Sequence, residues 1–597
     1  MLASGRGDAA SVVRHFRNVS FRESSAGVNL QNVPFAAKSL ALTAFKVKAR
    51  LADLGGAVFV LSPADLGKFI AEDTENGPRC SAMPTFSGSN SRQTANIPYV
   101  RYANPDGSHP APPPGADYLV LGTDRIVMSS LQPSLLPNAT RDLARFAVET
   151  KGSEIPVDVI ERVKLSLLDG LGVCLHGSTL PWTRKVFEIV QEEGGKNVAS
   201  LWGSGYRTSL TNAVLVNSTA GHAFEMDDIH TESIVHPNSL AVPAALALAE
   251  VDPLLSGSDI VTALILGYEV GLRIGNAATT SLFLNGFHPQ GTSGAFVAAA
   301  TAGRLLRLDA SQMQHALGIA GSMGSGLMAA QEGAMVKRLH AGRAAQSGML
   351  AALLAKRGFT GIPDIVEAGY GGFLSSFART PNVDRLLAGL REDWEAGKVG
   401  FKMYPNVTSI HAALDALRSI LVDESLPATR VKEINVGCGH MTFVHTAWEY
   451  RPVGITAAQM NMYYGLGAMT LRGDVSAADY SEDAIADPKI LAFIPRITIA
   501  VDPEIESRGP SFRHAARVAV VTTDGRTFTR EILHRRGSPE NPENREDIER
   551  KFDANVSRLL KSSTMDQLKD LAARLDVLTN AKEIIAIVAS PFEKTEL

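Results

Sequence analysis

One polar stretch, GHAFEMDDIHTESIVHP at residues 221–237, holds three histidines and four carboxylates within an otherwise apolar, glycine-rich part of the chain. Imidazole and carboxylate groups exchange protons near neutral pH, so the stretch predicts acid/base chemistry or substrate binding, with a solvated loop as the alternative. The preceding TSLTNAVLVNSTAG is helical in pattern. A helix that continued to Asp228 would place His222, Glu225 and Asp228 on one face.

A metal site is a further interpretation of the same stretch. Asp228, His230 and His236 are side chains that bind metal ions, but their spacing matches none of the compact zinc motifs. We therefore predict that no metal is bound and favour acid/base or substrate-binding roles.

Two later stretches carry groups suited to an anion. In NGFHPQGTSGAF, His288 precedes a helix of small residues, whose free N–H groups could meet a carboxylate, although a plain turn is the alternative. In EGAMVKRLHAGRAAQSGMLAALLA, four basic residues precede an apolar helix: Lys337, Arg338, His340 and Arg343. Buried cations are costly without a counter-charge, which favours an anion site over an exposed basic turn.

A fourth stretch, GKVGFKMYPNVTSIHAALDAL, lies where the periodicity of the sequence changes. Lys402 and Tyr404 fall at this junction, and His411 begins a predicted helix. A lysine at a junction between two domains can reach across the cleft between them.

The composition excludes several classes of protein. A chain of 597 residues that is 45% hydrophobic can bury a large core and should form two or more domains. A net charge of -4 gives no basic field for nucleic acid. The three cysteines have no zinc-site or iron–sulfur spacing, and no apolar run is typical of a membrane helix or signal peptide. We expect a soluble, reduced, cytoplasmic protein that binds neither membranes nor nucleic acid.

The periodicity predicts a mainly α fold. Residues 1–137 are turn-rich and are predicted to be an irregular N-terminal extension, apart from a short strand, AVFVL, and a helix after Ser62-Pro63. Residues 138–398 show helical spacing with many Ala and Gly positions, which favour close helix crossings. Residues 399–545 alternate like strands, with TTDGRT as a type I′ hairpin turn, and predict a smaller α+β domain. Residues 546–597 are again helical and are predicted to return to the first domain, which makes the α+β unit an inserted lid.

In this order, the four stretches resemble the motifs of the MmgE/PrpD family, which contains 2-methylcitrate dehydratases and cis-aconitate decarboxylases. GHAFEMDDIHTESIVHP is similar to the family's HAxDxDD…HP motif and GFHPQGTSG to its GxHP turn. KRLHAGRAAQSG is similar to its KxLHxGxAAxxG motif, and FKMYPNVTSIHAALDA to its KxYP…HxAxDA motif. RPVGITAAQMNMYYGLGAMTLRGDV and RRGSPENP resemble two later segments. The resemblance covers residues 138 to the C-terminus.

The resemblance implies a helical domain with an inserted α+β lid, a homodimer, no cofactor and a small tri- or dicarboxylate substrate. It implies catalytic roles for five residues: Asp228, His236, His288, Lys337 and Lys402. With the basic stretch and the domain junction, it indicates substrate contacts by six more: Glu225, Thr231, His340, Arg343, Tyr404 and Tyr464. The chain departs from the family pattern at Glu225, where Asp is usual, at Ile229, where Thr is usual, and at AQMNMYY, where an FS dipeptide is usual.

The function predicted first is cofactor-free dehydration of a 2-methylcitrate-like hydroxy acid. His236 and Asp228 would form the acid/base pair, Lys337 and Lys402 would bind carboxylates and stabilise developing charge, and His288 would handle the second proton. Decarboxylation of cis-aconitate is the alternative. A non-catalytic ligand-binding protein of the same fold and a metal-dependent hydrolase are alternatives of other classes.

Overall fold

The structure is a computed structural model that describes residues 135–593. The predicted extension lies outside the described residues up to position 134, together with its predicted strand and helix. The described part of the chain is mainly helical, which confirms the predicted fold class at that level.

The first part of the described chain is a helical region. Its α-helices are α1 (Ala139–Glu149), α2 (Val157–Ser178), α3 (Pro181–Glu193), α4 (Leu210–Gly221), α5 (Asn238–Val251), α6 (Gly257–Leu284), α7 (Pro289–Thr292), α8 (Gly294–Leu305), α9 (Ala310–Met323), α10 (Val336–Ala355) and α11 (Phe373–Phe377). A short two-stranded ribbon, β1 (Ala199–Ser200) with β2 (Arg207–Thr208), joins α3 to α4.

Small residues allow these helices to cross closely, as the sequence predicts. Helix α8 packs against both α6 and α10. A Cβ atom added to Gly348 of α10 would lie 2.5 Å from the carbonyl oxygen of Ala295 on α8. A larger residue would therefore separate the two backbones.

Helix α6 is central to this region. It begins at a capping box in which Ser256 and Asp259 satisfy each other's backbone N–H groups. Within residues 135–593 it is the one helix long and apolar enough to span a membrane, but its most apolar stretch is wholly buried in the protein. Its apolar character is therefore accounted for by packing against the surrounding helices.

The second part of the described chain contains a four-stranded sheet. Its strands are β3 (Val431–Cys438), β4 (Ile497–Val501), β5 (Ala516–Thr522) and β6 (Thr527–Ile532), in the order β4-β3-β5-β6. Strands β3 and β4 are parallel, and the other neighbours are antiparallel. Alternate residues of β5 are buried, which places one face of the sheet against the core.

Seven helices accompany the sheet. They are α12 (His411–Asp423), α13 (His440–Thr446), α14 (Ile455–Gln459), α15 (Met462–Arg472), α16 (Glu482–Ile485), α17 (Pro488–Phe493) and α18 (Pro503–Ser507). Helix α12 packs on β5, β6 and α15, and it supplies much of the core of this region.

The predicted hairpin is present, but the prediction of a type I′ turn is wrong. Strands β5 and β6 pair antiparallel around Thr522–Arg526, as TTDGRT predicts. A type I′ turn needs positive φ at two central residues, whereas here only Gly525 has one, at 85°. The loop is longer than a two-residue turn, so Asp524 does not have to adopt the left-handed conformation.

Three C-terminal helices return to the helical region: α19 (Arg545–Val556), α20 (Ser562–Ala573) and α21 (Lys582–Ala589). Helices α19 and α20 pack on α2, and α21 packs on α5. The described chain therefore has two hydrophobic cores, one built by α1–α11 with α19–α21, and one built around the sheet.

Candidate active site

The loop of residues 222–237 connects α4 to α5 and lies between the two cores. Helix α4 ends at Gly221, so the predicted helix through Asp228 is wrong, and its three polar residues do not share a helix face. Glu225 has φ 56°, a left-handed conformation that a continuing helix cannot contain. Phe224 and Met226 are buried in the core around the sheet, and this burial directs the intervening Glu225 to the opposite side of the loop.

The carboxylate of Glu225 is the point at which three buried cations meet. Lys402 Nζ lies 2.9 Å from Oε2 of Glu225, Arg338 Nη1 lies 2.6 Å from Oε1, and Lys337 Nζ also contacts Oε1. All four side chains are nearly inaccessible to solvent. The buried basic residues predicted from the sequence thus meet an anion, but this anion belongs to the protein.

The charges of this cluster are mutually dependent. Burial alone would raise the pKa of Glu225, but the charges of Lys337, Lys402 and Arg338 outweigh burial and hold it well below its usual value. Burial lowers the pKa of Lys337 to about 8, even though Glu225 opposes the shift. Lys337 is therefore the cation of the cluster that can lose its proton at a moderately alkaline pH.

Arg338 links the cluster to helix α14. Its Nη2 atom donates to Oε1 of Gln459 at 2.8 Å, and Nε2 of Gln459 donates to the carbonyl oxygen of Phe224 at 2.8 Å. The guanidinium thus joins the loop, helix α10 and the second region by hydrogen bonds that are all buried. Its Nε atom is buried without a partner among the described residues.

Asp227 is the carboxylate that contacts the histidines. Its Oδ2 lies 2.7 Å from Nδ1 of His222, and its Oδ1 lies 3.3 Å from Nδ1 of His236 and 3.6 Å from Nζ of Lys402. Burial would raise the pKa of Asp227, but His236, His222 and Lys402 hold it well below its usual value. Because Nδ1 of His222 donates to this carboxylate, the ring is held in the tautomer that carries its proton on Nδ1 and a lone pair on Nε2.

Asp228, predicted as the acid/base partner of His236, points in a different direction. Its carboxylate accepts from Oγ of Ser166 at 2.6 Å and from the backbone N–H of Asn238 at 3.1 Å. Only its backbone oxygen faces His236, at 2.7 Å from Nδ1. Burial raises the pKa of Asp228 well above its usual value, which favours a neutral carboxyl group. Its geometry is that of a residue that anchors the loop, and Asp227 occupies the position predicted for it.

His288 and His340 form a pair on the other side of His222. Their Nδ1 atoms are 2.9 Å apart, so one ring must donate and the other accept. The ring centroids of His222 and His288 are 5.7 Å apart, and those of His222 and His236 are 4.9 Å apart. Burial and the charge of Lys337 lower the pKa values of both His288 and His340, that of His340 to about 4, which keeps them neutral.

Gly326 covers this histidine pair. A Cβ atom at position 326 would lie 3.2 Å from the ring of His340 and 3.4 Å from His288, and the residue has φ 149°. Beyond it lies a mostly apolar cavity of about 530 Å³, lined by His340, Arg343 and the segment from Ser325 to Ala334. Arg343 is exposed at this cavity and lies outside the buried cluster.

Three other residues predicted to bind substrate make different contacts. The hydroxyl of Tyr404 donates to Oδ1 of Asp415 at 2.8 Å, and that of Tyr464 donates to the carbonyl oxygen of Ala484 at 3.1 Å. Both tyrosines are buried in the core around the sheet. The backbone oxygen of Thr231 accepts from Arg513. The structure therefore does not bring these three side chains to the Glu225 cluster.

The structure also shows where the residues considered as metal ligands lie. Nε2 of His230 lies 3.0 Å from Glu395, which separates it from Asp228 and His236. Within residues 135–593, the group that could hold a metal ion is His222, Asp227 and His236, whose ligand atoms lie within 4.8 Å of one another. The Nδ1 atom of His236 faces a backbone carbonyl and therefore carries a proton, which makes that atom unsuitable as a ligand.

The sequence reasoning missed Asp227 and Gln459 and left Arg338 without a role. Asp227 is adjacent to the predicted Asp228, and only the turn of the loop decides which of the two carboxylates meets the histidines. Arg338 was visible among the basic residues before α10. For Gln459 no pattern in the sequence indicates a contact with the site.

Two family models match the chain. The MmgE/PrpD N-terminal domain model matches residues 141–385, and the MmgE/PrpD C-terminal domain model matches residues 404–577. Lys402, the residue that joins the two regions at Glu225, lies between the two matches, just before the second begins.

Several relatives align over about three quarters of the chain. The cis-aconitate decarboxylase of Aspergillus terreus is 30% identical over 473 residues, covering 76% of this chain and 96% of the relative. A cis-aconitate decarboxylase-like protein, oryM, of Aspergillus oryzae is 29% identical over 475 residues, 76% of this chain and 97% of the relative. The human cis-aconitate decarboxylase is 29% identical over 474 residues, with coverage of 76% and 96%.

The two neighbouring aspartates give a direct test of this geometry. We expect Asp227→Asn to lower kcat by about a hundredfold or more, because it removes the charge that orients and stabilises both histidines. Asp228→Asn should lower kcat less than about tenfold, because an amide can replace a neutral carboxyl group between Ser166 and Asn238. Steady-state kinetics on both variants, with circular dichroism to verify folding, make the comparison. A larger loss in Asp228→Asn would contradict the assignment.

Proposed function

The chain belongs to the MmgE/PrpD family, and on that premise we propose that it is a lyase that removes CO2 from a small unsaturated polycarboxylic acid of the cis-aconitate type. The observation that carries the proposal is the cluster of three buried cations beside the histidines of the loop and His288, the residue before α7. The names of the relatives support the same class of reaction.

The arrangement suits decarboxylation. Breaking the bond to the leaving carboxyl group releases CO2 and leaves its electron pair on the remaining carbon, as an enolate-like charge stabilised by nearby cations. The cluster contains three cations, Lys337, Arg338 and Lys402, and two carboxylates, Glu225 and Asp227. It therefore carries one positive charge in excess. That excess charge favours both a substrate carboxylate and the developing charge.

The proton that completes the reaction would come from a histidine. The Asp228 carbonyl oxygen accepts from Nδ1 of His236, so a doubly protonated His236 would give its Nε2 proton to the substrate carbon and remain as the neutral Nδ1–H ring, which solvent reprotonates. The pair of His288 and His340 provides a second route, because a proton can pass between their Nδ1 atoms. Lys402 and Lys337 would bind carboxylates and stabilise charge, as the sequence predicts.

Dehydration of a 2-methylcitrate-like acid is the second candidate, although the sequence placed it first. The same bases could take a proton beside a carboxylate, and a histidine protonated at both nitrogens could protonate the departing hydroxide and return to the neutral ring. Because the relatives are named as decarboxylases, decarboxylation is now favoured over dehydration. We propose that the reaction uses no cofactor and that the sheet region closes over the site as a lid. That the protein is a homodimer and is located in the cytoplasm stays a prediction.

Product identity separates these candidates. We expect purified protein incubated with cis-aconitate, citrate and 2-methylcitrate to release CO2 from an unsaturated acid, detected by mass spectrometry of the products.

Lys402→Met should lower kcat/KM by about a hundredfold or more, since a buried counter-charge is lost. The exposed Lys489→Met is the matched control and should behave like the unaltered protein. Loss of water alone would support the hydro-lyase, and binding of all three acids without any product would support the non-catalytic alternative.

The alkaline limb of the pH profile tests the role of Lys337. Burial lowers its pKa to about 8, so kcat/KM should fall as the pH rises through this value and the cluster loses a positive charge. Lys337→Arg should move the fall to higher pH, because a guanidinium keeps its proton throughout this range. The profile is measured for both proteins in a constant-ionic-strength buffer. An alkaline limb at the same pH in the variant would contradict the assignment to Lys337.

A further inference from the structure

A second group of basic side chains, in which His445 is buried and Arg513 and His514 are half-buried, lies on the side of the sheet region. Arg513 follows α18, His514 is its neighbour, and His445 belongs to α13. The acceptor that the described residues provide for Arg513 is the backbone oxygen of Thr231, in the loop of residues 222–237. Arg513 therefore reaches the loop that carries Glu225 and Asp227, but from the opposite region.

This group has no anionic partner of its own in the described part of the chain. Arg513 forms no ion pair there, and burial lowers its pKa to about 10; the carboxylate that acts against the shift is Glu232, which is ion-paired with Arg385. Three buried nitrogens have no hydrogen-bond partner: Nε of Arg513, Nδ1 of His514 and Nε2 of His445. Buried polar nitrogens are normally satisfied, so three together indicate that an acceptor is to be supplied.

His445 connects the two basic groups. Its Nδ1 faces Oγ of Ser409 at 3.3 Å, and its ring packs against Phe283 at the end of α6. Burial lowers the pKa of His445 to about 4, and the charges of Lys337, Glu225, Arg513 and Lys402 all act on it. His445 lies on the same helix as Thr442, whose hydroxyl donates to the backbone oxygen of Arg513 at 2.6 Å, so α13 holds the ring with the unpartnered Nε2 beside the Arg513 segment.

We propose that Arg513, with His445 and His514, forms a second carboxylate-binding subsite opposite the Glu225 cluster. One carboxylate of a diacid or triacid substrate would lie near Lys337 and Lys402, and another would accept from the Arg513 guanidinium. This inference rests on the proposed function for the identity of the anion, and it adds the residues that distinguish a polycarboxylate from a monocarboxylate.

The contrast with Glu225 explains why a ligand belongs on this side. In the first cluster a protein carboxylate already offsets part of the positive charge, whereas Arg513 has only a neutral carbonyl oxygen as acceptor. A charge-assisted hydrogen bond to a carboxylate is stronger than one to a carbonyl group. An incoming carboxylate would therefore gain more at Arg513 than at a site whose positive charge is already partly compensated by protein carboxylates.

The test measures binding rather than turnover. Dissociation constants of glutarate, a diacid, and butyrate, its monoacid counterpart, are measured by isothermal titration calorimetry on the full chain. In Arg513→Gln, glutarate should bind about tenfold or more weakly, and butyrate should change less than about threefold. Arg508→Gln is the matched control, because Arg508 lies on the same segment but is ion-paired with Glu504 and Glu531. Glutarate should bind this variant as it binds the unaltered protein.

Several outcomes would overturn the subsite. They are equal losses for both acids in Arg513→Gln, no loss for either, or no preference of the unaltered protein for glutarate over butyrate. Inorganic phosphate that binds as tightly as glutarate and competes with it would show a general anion site instead. If Arg513→Gln does not fold, His445→Asn is measured in the same way with the same expected contrast. If Arg513→Gln weakens glutarate binding as expected but the unaltered protein forms no product from any of the acids, the subsite is supported and the proposed function is not.

Discussion

The ion cluster around Glu225 is the interaction on which the rest of the site depends. One buried carboxylate meets Lys337 and Arg338 from the helical region and Lys402 from the junction with the sheet region. Each cation would be costly to bury alone, and together they would repel one another strongly. Glu225 makes their assembly possible, and it leaves a small positive excess for a substrate.

The position of the loop between two cores follows from the same arrangement. Phe224 and Met226 are buried with the residues around the sheet, and Asp228 is held by Ser166 and the start of α5. Anchors on both sides allow Glu225 to adopt a left-handed backbone and Asp227 to face two histidines. The chemistry of the loop is therefore set by packing at its apolar and neutral positions as much as by its charged ones.

Much of this was predictable, and the failures have physical causes. Helical periodicity, small residues and the Asp-Gly turn predicted the main elements, because local spacing determines which face of an element can be buried. Lys337 and Lys402, two of the three cations that meet at Glu225, were nominated through their motifs. Whether Asp227 or Asp228 faces the histidines depends on a non-helical loop whose conformation is fixed by distant partners. Tyr404 and Tyr464 were nominated by position in a motif, but their hydroxyls bind Asp415 and Ala484 inside the second core.

The most direct measurement is the free energy of unfolding of Glu225→Gln relative to the unaltered protein, by urea titration without ligand. We predict a loss of about 3–5 kcal/mol, because the amide leaves three buried cations without their counter-charge. We also predict that a polycarboxylate restores part of the loss. A variant as stable as the unaltered protein would contradict the claim that Glu225 holds the site together.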